Sequence, residues 1–209
     1  LREARQRRGA IDLDTVEAFI VLDGESRVEK IVPRTRNDAH RINEECMVTA
    51  NVAAAEFLAS KQMPLLYRVH DKPKAAKVTE LNGFLAGLGL KLPGGEVPEP
   101  RDYLALVHKM ESLPAAGLLQ TVLLRSLSQA VYSPKNLGHF GLALANYAHF
   151  TSPIRRYPDL LVHRAIRHVL RGGTPEEFVA SNASWRFLVS TAQRLNVVRM
   201  KRPAMSSRG

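Results

Sequence analysis

Between Tyr147 and Ile166 the chain reads Y-A-H-F-T-S-P-I-R-R-Y-P-D-L-L-V-H-R-A-I. Arg155 and Arg156 follow a Ser152-Pro153 turn signal, and each guanidinium is a fork that matches phosphate oxygens and keeps its charge at any working pH. A turn that opens a helix adds backbone N–H groups without helical partners at the same end, so an anion is favoured twice over. Spacing leaves two roles open for the pair. At least one arginine meets an anionic substrate, or one pairs with Asp159 and locks the turn. His149 and His163 could suggest a metal, but no second ligand pair follows at zinc spacing. They read instead as polar, hydrogen-bonded histidines.

The elements that must hold this segment follow from cap and breaker signals. Ser152 can cap a helix through its hydroxyl, and Pro153 gives up only an N–H that would be unpaired there. Pro158 would break a continuous helix, so the sequence predicts a turn over 152–156 and the main helix from about Pro158 to a stop at Gly172-Gly173. Val162, Ile166, Val169 and Leu170 share its apolar side. His163, Arg164, Arg167, His168 and Arg171 form a cationic one.

Earlier in the chain, alternation through Ile11, Leu13, Val16, Ala18, Ile20 and Leu22 predicts two short strands. Asp23-Gly24-Glu25-Ser26 is a turn into a further strand over Val28 to Val32. Asn37 or Asp38 can cap a helix running to about Lys61, with Ile42, Cys46, Ala50, Ala53 and Phe57 at helical spacing and Cys46 expected as a buried thiol. Its polar members Asp38, His40, Glu44, Glu45 and Asn51 either form a site or serve the helix dipole. A strand is predicted over Leu65 to His70 and helices over about Ala75 to Leu88, Arg101 to Ser112 and Ala115 to Val131. The last of these places Leu118, Val122, Leu123, Leu127 and Val131 on its core side. H-F-G-L-A-L, residues 139–144, reads as a strand. The pattern is α+β, mostly helical with a few short antiparallel strands, in one domain without a clear linker.

Composition bounds the function classes. The 209 residues are 45% hydrophobic, enough for a core, and no apolar run approaches the ~20 residues that would span a bilayer. A single cysteine cannot close an internal disulfide, and the expected location is the cytoplasm. A net charge of +10 points to an anionic partner, nucleic acid first. Arg186, Arg194, Arg199, Lys201, Arg202 and Arg208 carry six of those charges, all in the last 24 residues, where no acid follows Glu177. Leu1 is no natural initiator and Arg2 to Arg8 reads as the charged end of a longer helix, so a fragment is expected.

The segment at 147–166 is similar to the signature of the ribonuclease II family catalytic domain, the RNB domain. R-N-D-A-H-R-I-N-E-E-C-M-V-T-A-N, Y-R-V-H-D-K-P, L-P-G-G-E-V-P-E-P-R-D-Y and G-H-F-G-L-A-L fall in the family's order, from about Arg7 to about Gly173. The resemblance implies a processive exoribonuclease that draws single-stranded RNA 3′ end first into a channel and releases nucleoside 5′-monophosphates, working as a monomer. It implies that Arg155, in S-P-I-R, stabilises charge on the scissile phosphate. Thr151, Ser152, Pro153, Arg156, Tyr157, His149, His163 and Arg164 are then expected to bind RNA.

Three departures qualify the match. The family's aspartate run, D-x-D-x-x-x-x-D-x-D-D, which holds two magnesium ions, is nowhere in the chain, and Asp12 and Asp14 lie after its place. Magnesium is therefore expected of the parent enzyme, with its ligands absent here and the isolated chain inactive. The family's stacking aromatic falls at Leu13. After Gly173 the family continues with a helix that contains a glutamate expected to help at the active site, whereas the tail here has no likeness to it. Ordinary codons for the tail, read one nucleotide out of step, can spell G-E-H-C-S-T-T-E-R-R-A-D-E-A-T-R-D-V-V, so a frameshift near residues 185–188 is expected. A non-catalytic RNA-binding module and a fragment that does not fold stably are the competing readings.

Overall fold

A computed structural model describes residues 1–12, 18–33, 37–113, 115–182 and Trp185. Leu13, Asp14 and the tail beyond Trp185 lie outside the described residues, as do the readings that fall on them. Two compact units interleave along the sequence, one of Leu1–Cys46 with Pro73–Leu127 and one of Met47–Lys72 with Ser128–Gly209.

In the first unit, α1 (Arg2–Arg8) is followed by the antiparallel hairpin of β1 (Ala18–Leu22) and β2 (Val28–Pro33). The Asp23 carboxylate closes its turn by accepting from the backbone N–H of Glu25 and Arg27. Ile11 lies outside any strand and is buried. The helices α3 (Ala75–Ala86) and α4 (Pro100–Met110) both pack on α5 (Ala116–Ser126). α4 starts at Pro100, where the Asp102 carboxylate accepts from the Glu99 N–H at 2.7 Å. Its Tyr103, Leu106, Val107 and Met110 then fall on one buried stripe at helical spacing.

The second unit contains the later turns of α2 (Asp38–Ser60), a two-stranded sheet of β3 (Tyr67–Val69) and β4 (Val131–Ser133), α6 (Tyr157–Leu170) and α7 (Pro175–Ser181). Its core gathers Ala54, Ala55 and Leu58 of α2, Met63, Leu65 and Ala148, Val162 and Ala165 of α6, and Phe178 of α7. β3 also anchors the chain that precedes α6. Arg68 N–H donates to the Tyr147 carbonyl at 2.8 Å, His70 N–H to Gly138, and Phe140 N–H to the His70 carbonyl.

Several expectations change. α2 buries Asn51, Ala54, Ala55 and Leu58, a face turned by one residue from the predicted one, and Cys46 is exposed. An alanine-rich helix offers small side chains on every side, so periodicity marks its packing face weakly. α5 ends at Ser126 because Leu127 is extended, which frees Val131 for β4; Leu119 and Leu123 are buried and Leu118 is 64% exposed. Residues 139–144 form a 3-10 turn over Phe140–Leu142 with Ala143 at φ 50°, not a strand. Leu170 is exposed on α6. The turn over 152–156, the helix after it and the stop are as predicted, with Gly172 at φ 79° and Gly173 N–H donating to the His168 carbonyl.

Candidate nucleic-acid interface

The loop from Tyr147 to Arg156 has no regular ladder, so side chains satisfy its backbone. Asn51 of α2, only 3% exposed, serves two consecutive amides. Its Oδ1 accepts from the N–H of Phe150 at 2.8 Å and of Thr151 at 3.2 Å, while its Nδ2 donates to the Tyr147 hydroxyl at 3.1 Å. The next amide, Ser152 N–H, donates to Asp159 Oδ1 at 2.8 Å. Ser152's carbonyl then accepts from the N–H groups of Arg155 and Arg156, closing the turn. The N-cap of α6 is Arg156, with no side-chain cap, so the predicted Ser152 hydroxyl cap does not form and Ser152 serves the turn through its backbone.

The two adjacent arginines separate cleanly. Arg156 Nη2 donates to Asp159 Oδ1 at 2.7 Å, and Asp159 is fully buried, so this arginine locks the turn. Arg155 is exposed and pairs with no acid among the described residues, next to the fully exposed Ile154. Underneath, Asp159 Oδ2, Thr151 Oγ1 and Arg156 Nε are buried without hydrogen-bond partners. Unmatched buried polar atoms are rare in packed cores and gather where a site constrains the chain.

The other expected residues fall into two groups. His149 and His163 sit beside the loop as hydrogen-bonded side chains. Tyr132 Oη lies 2.7 Å from His149 Nδ1; His163 Nε2 lies 2.9 Å from the Phe150 carbonyl, its ring stacked on Phe150 at 4.2 Å. Burial and then the charges of Arg156 and Arg68 push His149 down to about 4, so it is neutral at neutral pH and adds no charge toward a phosphate. Tyr157 and Arg164 lie together on the exposed side of α6, the guanidinium donating to the Tyr157 hydroxyl at 3.4 Å and lying 6.0 Å from its ring centre. Pro153 is half-buried in the turn.

Sequence reasoning missed a belt of rings behind the loop. His70 and His139 are 5.1 Å apart, His139 and Tyr147 5.1 Å, Tyr147 and His149 5.8 Å, and Tyr132 and His149 5.5 Å. Arg68 caps the belt, 4.9 Å over the Tyr132 ring. Burial, with His70 and Arg68 beside it, holds His139 down to about 3. The polar residues of α2 scatter instead of forming one site. Asn37 Oδ1 accepts from His40 N–H, Asp38 pairs with Arg41, and Glu44 and Glu45 pair with Arg5, leaving Asn51 to the loop. Its signal was a polar residue in line with Ala54, Ala55 and Leu58.

The RNB domain matches residues 1–172. The chain belongs to the RNB domain family. Ribonuclease R of Escherichia coli (strain K12) is 53% identical over 170 residues, which are 81% of this chain and 21% of that protein. Ribonuclease R 1 of Lactococcus lactis subsp. lactis (strain IL1403) is 46% identical over 176 residues, 84% of this chain and 22% of that one. This RNB chain thus spans about a fifth of the length of the curated relatives it matches. Among solved structures, Mycoplasma genitalium RNase R matches in its apo form with a TM-score of 0.83 at 31% identity, and in complex with ribose methylated single-stranded RNA with 0.85 at 30%. Each match covers 96% of this chain and 31% of the other.

Among the described residues no group of three or more His, Cys, Asp or Glu is placed to hold a metal ion. Asp159 does not fit either, since it is a lone carboxylate, fully buried and already paired with the Arg156 guanidinium. The described residues of this RNB chain therefore do not fit the magnesium pair that the family resemblance implies. No described helix is long and apolar enough to cross a membrane.

Proposed function

We propose that this chain is the phosphate-gripping part of a 3′-to-5′ exoribonuclease that acts on single-stranded RNA and releases nucleoside 5′-monophosphates. One observation carries the reading: of two adjacent arginines on a pinned loop, one is spent on a buried aspartate and the other, Arg155, stands exposed and pairs with no acid among the described residues. A free guanidinium on a fixed backbone is preorganised for a phosphate oxygen and has no internal ion pair to break first. Family membership and the RNA-bound relative support the same reading. Arg155 holds the scissile phosphate as negative charge grows on it, while Tyr157 and Arg164 offer a ring and a cation to the neighbouring nucleotides. Any magnesium would be held by residues beyond those described. A cytoplasmic monomer fits this reading.

Fluorescence anisotropy of this chain with a labelled single-stranded oligoadenylate tests it. Arg155→Ala should weaken binding several-fold and flatten the slope of log affinity against log salt by about 0.7, one single-strand phosphate contact. Unchanged affinity and slope would sink the reading. With magnesium added, the chain should bind oligoadenylate without releasing mononucleotides. Release would mean that residues outside the described set complete a metal centre.

A further inference from the structure

We infer that Asn51 is the positioning residue of this site: by clamping three groups of the loop at once it sets where Arg155 stands. The inference rests on the phosphate-binding reading of Arg155 given above. Asn51 is 96 to 100 residues distant in sequence from the groups it bonds, and it is 3% exposed on a helix, in line with Ala54, Ala55 and Leu58. A polar side chain there is costly to bury unless its amide is satisfied, and among the described residues its side-chain hydrogen bonds all go to the loop.

The geometry is more specific than simple satisfaction requires. One carbonyl oxygen, Oδ1, takes two consecutive amides, Phe150 and Thr151, which forces those N–H groups to converge on a point. The amide of Asn51 cannot flip without losing both, because Nδ2 is a donor and the Tyr147 hydroxyl fixes it on the other side. The third consecutive amide, Ser152, is held by Asp159, which also holds Arg156. The chain is thus fixed before the turn by Asn51 and at the turn's two ends, Ser152 and Arg156, by Asp159, with Arg155 between those ends. Asn51 acts through the loop on Arg155, the member of the arginine pair that meets no acid among the described residues. A buried side chain that pins consecutive amides lowers the number of loop conformers from which Arg155 would otherwise have to be selected, and that is how it raises affinity.

A double-mutant cycle on this chain tests the inference, again with the labelled oligoadenylate. Asn51→Leu keeps the size and removes the clamp; Tyr147→Phe keeps the ring and removes only the hydroxyl that orients the amide. With Arg155 present, Asn51→Leu should weaken binding about 3- to 10-fold and Tyr147→Phe by less; in the Arg155→Ala background both should change it less than about 2-fold. Asn51→Asp, whose oxygens can accept from both amides and from the Tyr147 hydroxyl, should restore binding to within about 3-fold of the parent chain. Equal losses with and without Arg155, or an Asn51→Asp chain as weak as Asn51→Leu, would overturn the positioning role. Should Asn51→Leu fail to fold, Tyr147→Phe still decides through the same coupling. Arg155→Ala without effect sinks instead the phosphate reading beneath it.

Discussion

Arg155 and Arg156 are neighbours of one residue type, yet their surroundings give them opposite energetic roles. Arg156 spends its charge on a carboxylate with no access to water, and removing one partner of such a pair leaves the other buried and unmatched. Asp159→Ala should therefore cost about 3 kcal/mol of stability, because Arg156 and the Ser152 N–H both lose their acceptor. Arg155→Ala should cost less than about 0.5 kcal/mol, since its side chain is exposed and pairs with no acid among the described residues. Urea denaturation of the two variants separates these outcomes, and a comparable loss in both would show that Arg155 is part of the lock. The sequence left open whether an arginine pairs with Asp159. Only the turn, which brings Asp159 under Ser152 and Arg156, selects which one.

At the scale of elements, cap and breaker residues were the legible part. Pro158 and Gly172-Gly173 bound α6, and the Asp23 turn makes the hairpin, because these residues act on their own backbone. Faces were less legible. α2 and α5 each present another side than their spacing suggested, since small or uniformly apolar helices leave the choice to whatever packs on them. The hairpin of β1 and β2 sets Ile20 opposite Ile31 and Leu22 opposite Val28, every one of them more than half exposed. Apolar cross-strand pairs on an open hairpin contribute little to a fold that does not cover them and invite association. Ile31→Lys should leave the unfolding free energy within about 0.5 kcal/mol and lower concentration-dependent light scattering. A large loss of stability would show that this face is covered.

For the molecule as a whole, charge and acidity matter in different places. The net +10 falls to +4 over residues 1–185, so the RNA binding proposed above should rest on a few placed cations more than on bulk charge. The nucleotide sequence near residues 185–188 tests the frameshift expectation for the remaining charges, and codons that do not spell the family-like string would end it. In the second unit, neutral histidines are built into the packing. His149 faces Arg156, Arg68 and Asp159; His139 faces His70, Arg68 and His149. Both have folded values below their unfolded value of about 6.5, so the unfolded chain takes up protons first as pH falls. The stability they contribute is complete above about pH 6.5 and is lost as pH drops from there toward about 4 for His149 and about 3 for His139. Thermal melts from pH 7.5 to 4.5 should show a falling midpoint, and His149→Asn should make the fall shallower. A flat profile for the parent chain would show that the histidines are not desolvated.

The family, the α+β class, the turn and the arginine pair were determined by the sequence itself, because each depends on residues close together in the chain or on motifs in a fixed order. What only the tertiary structure decided is the division of labour within the motif. Asn51 reaches the loop across about a hundred residues, and Asp159 is sealed from water by the packing of the second unit. Hydrogen bonds between distant segments and the burial that strengthens them have no local signature, so the sequence could name Arg155 but not what holds it in place.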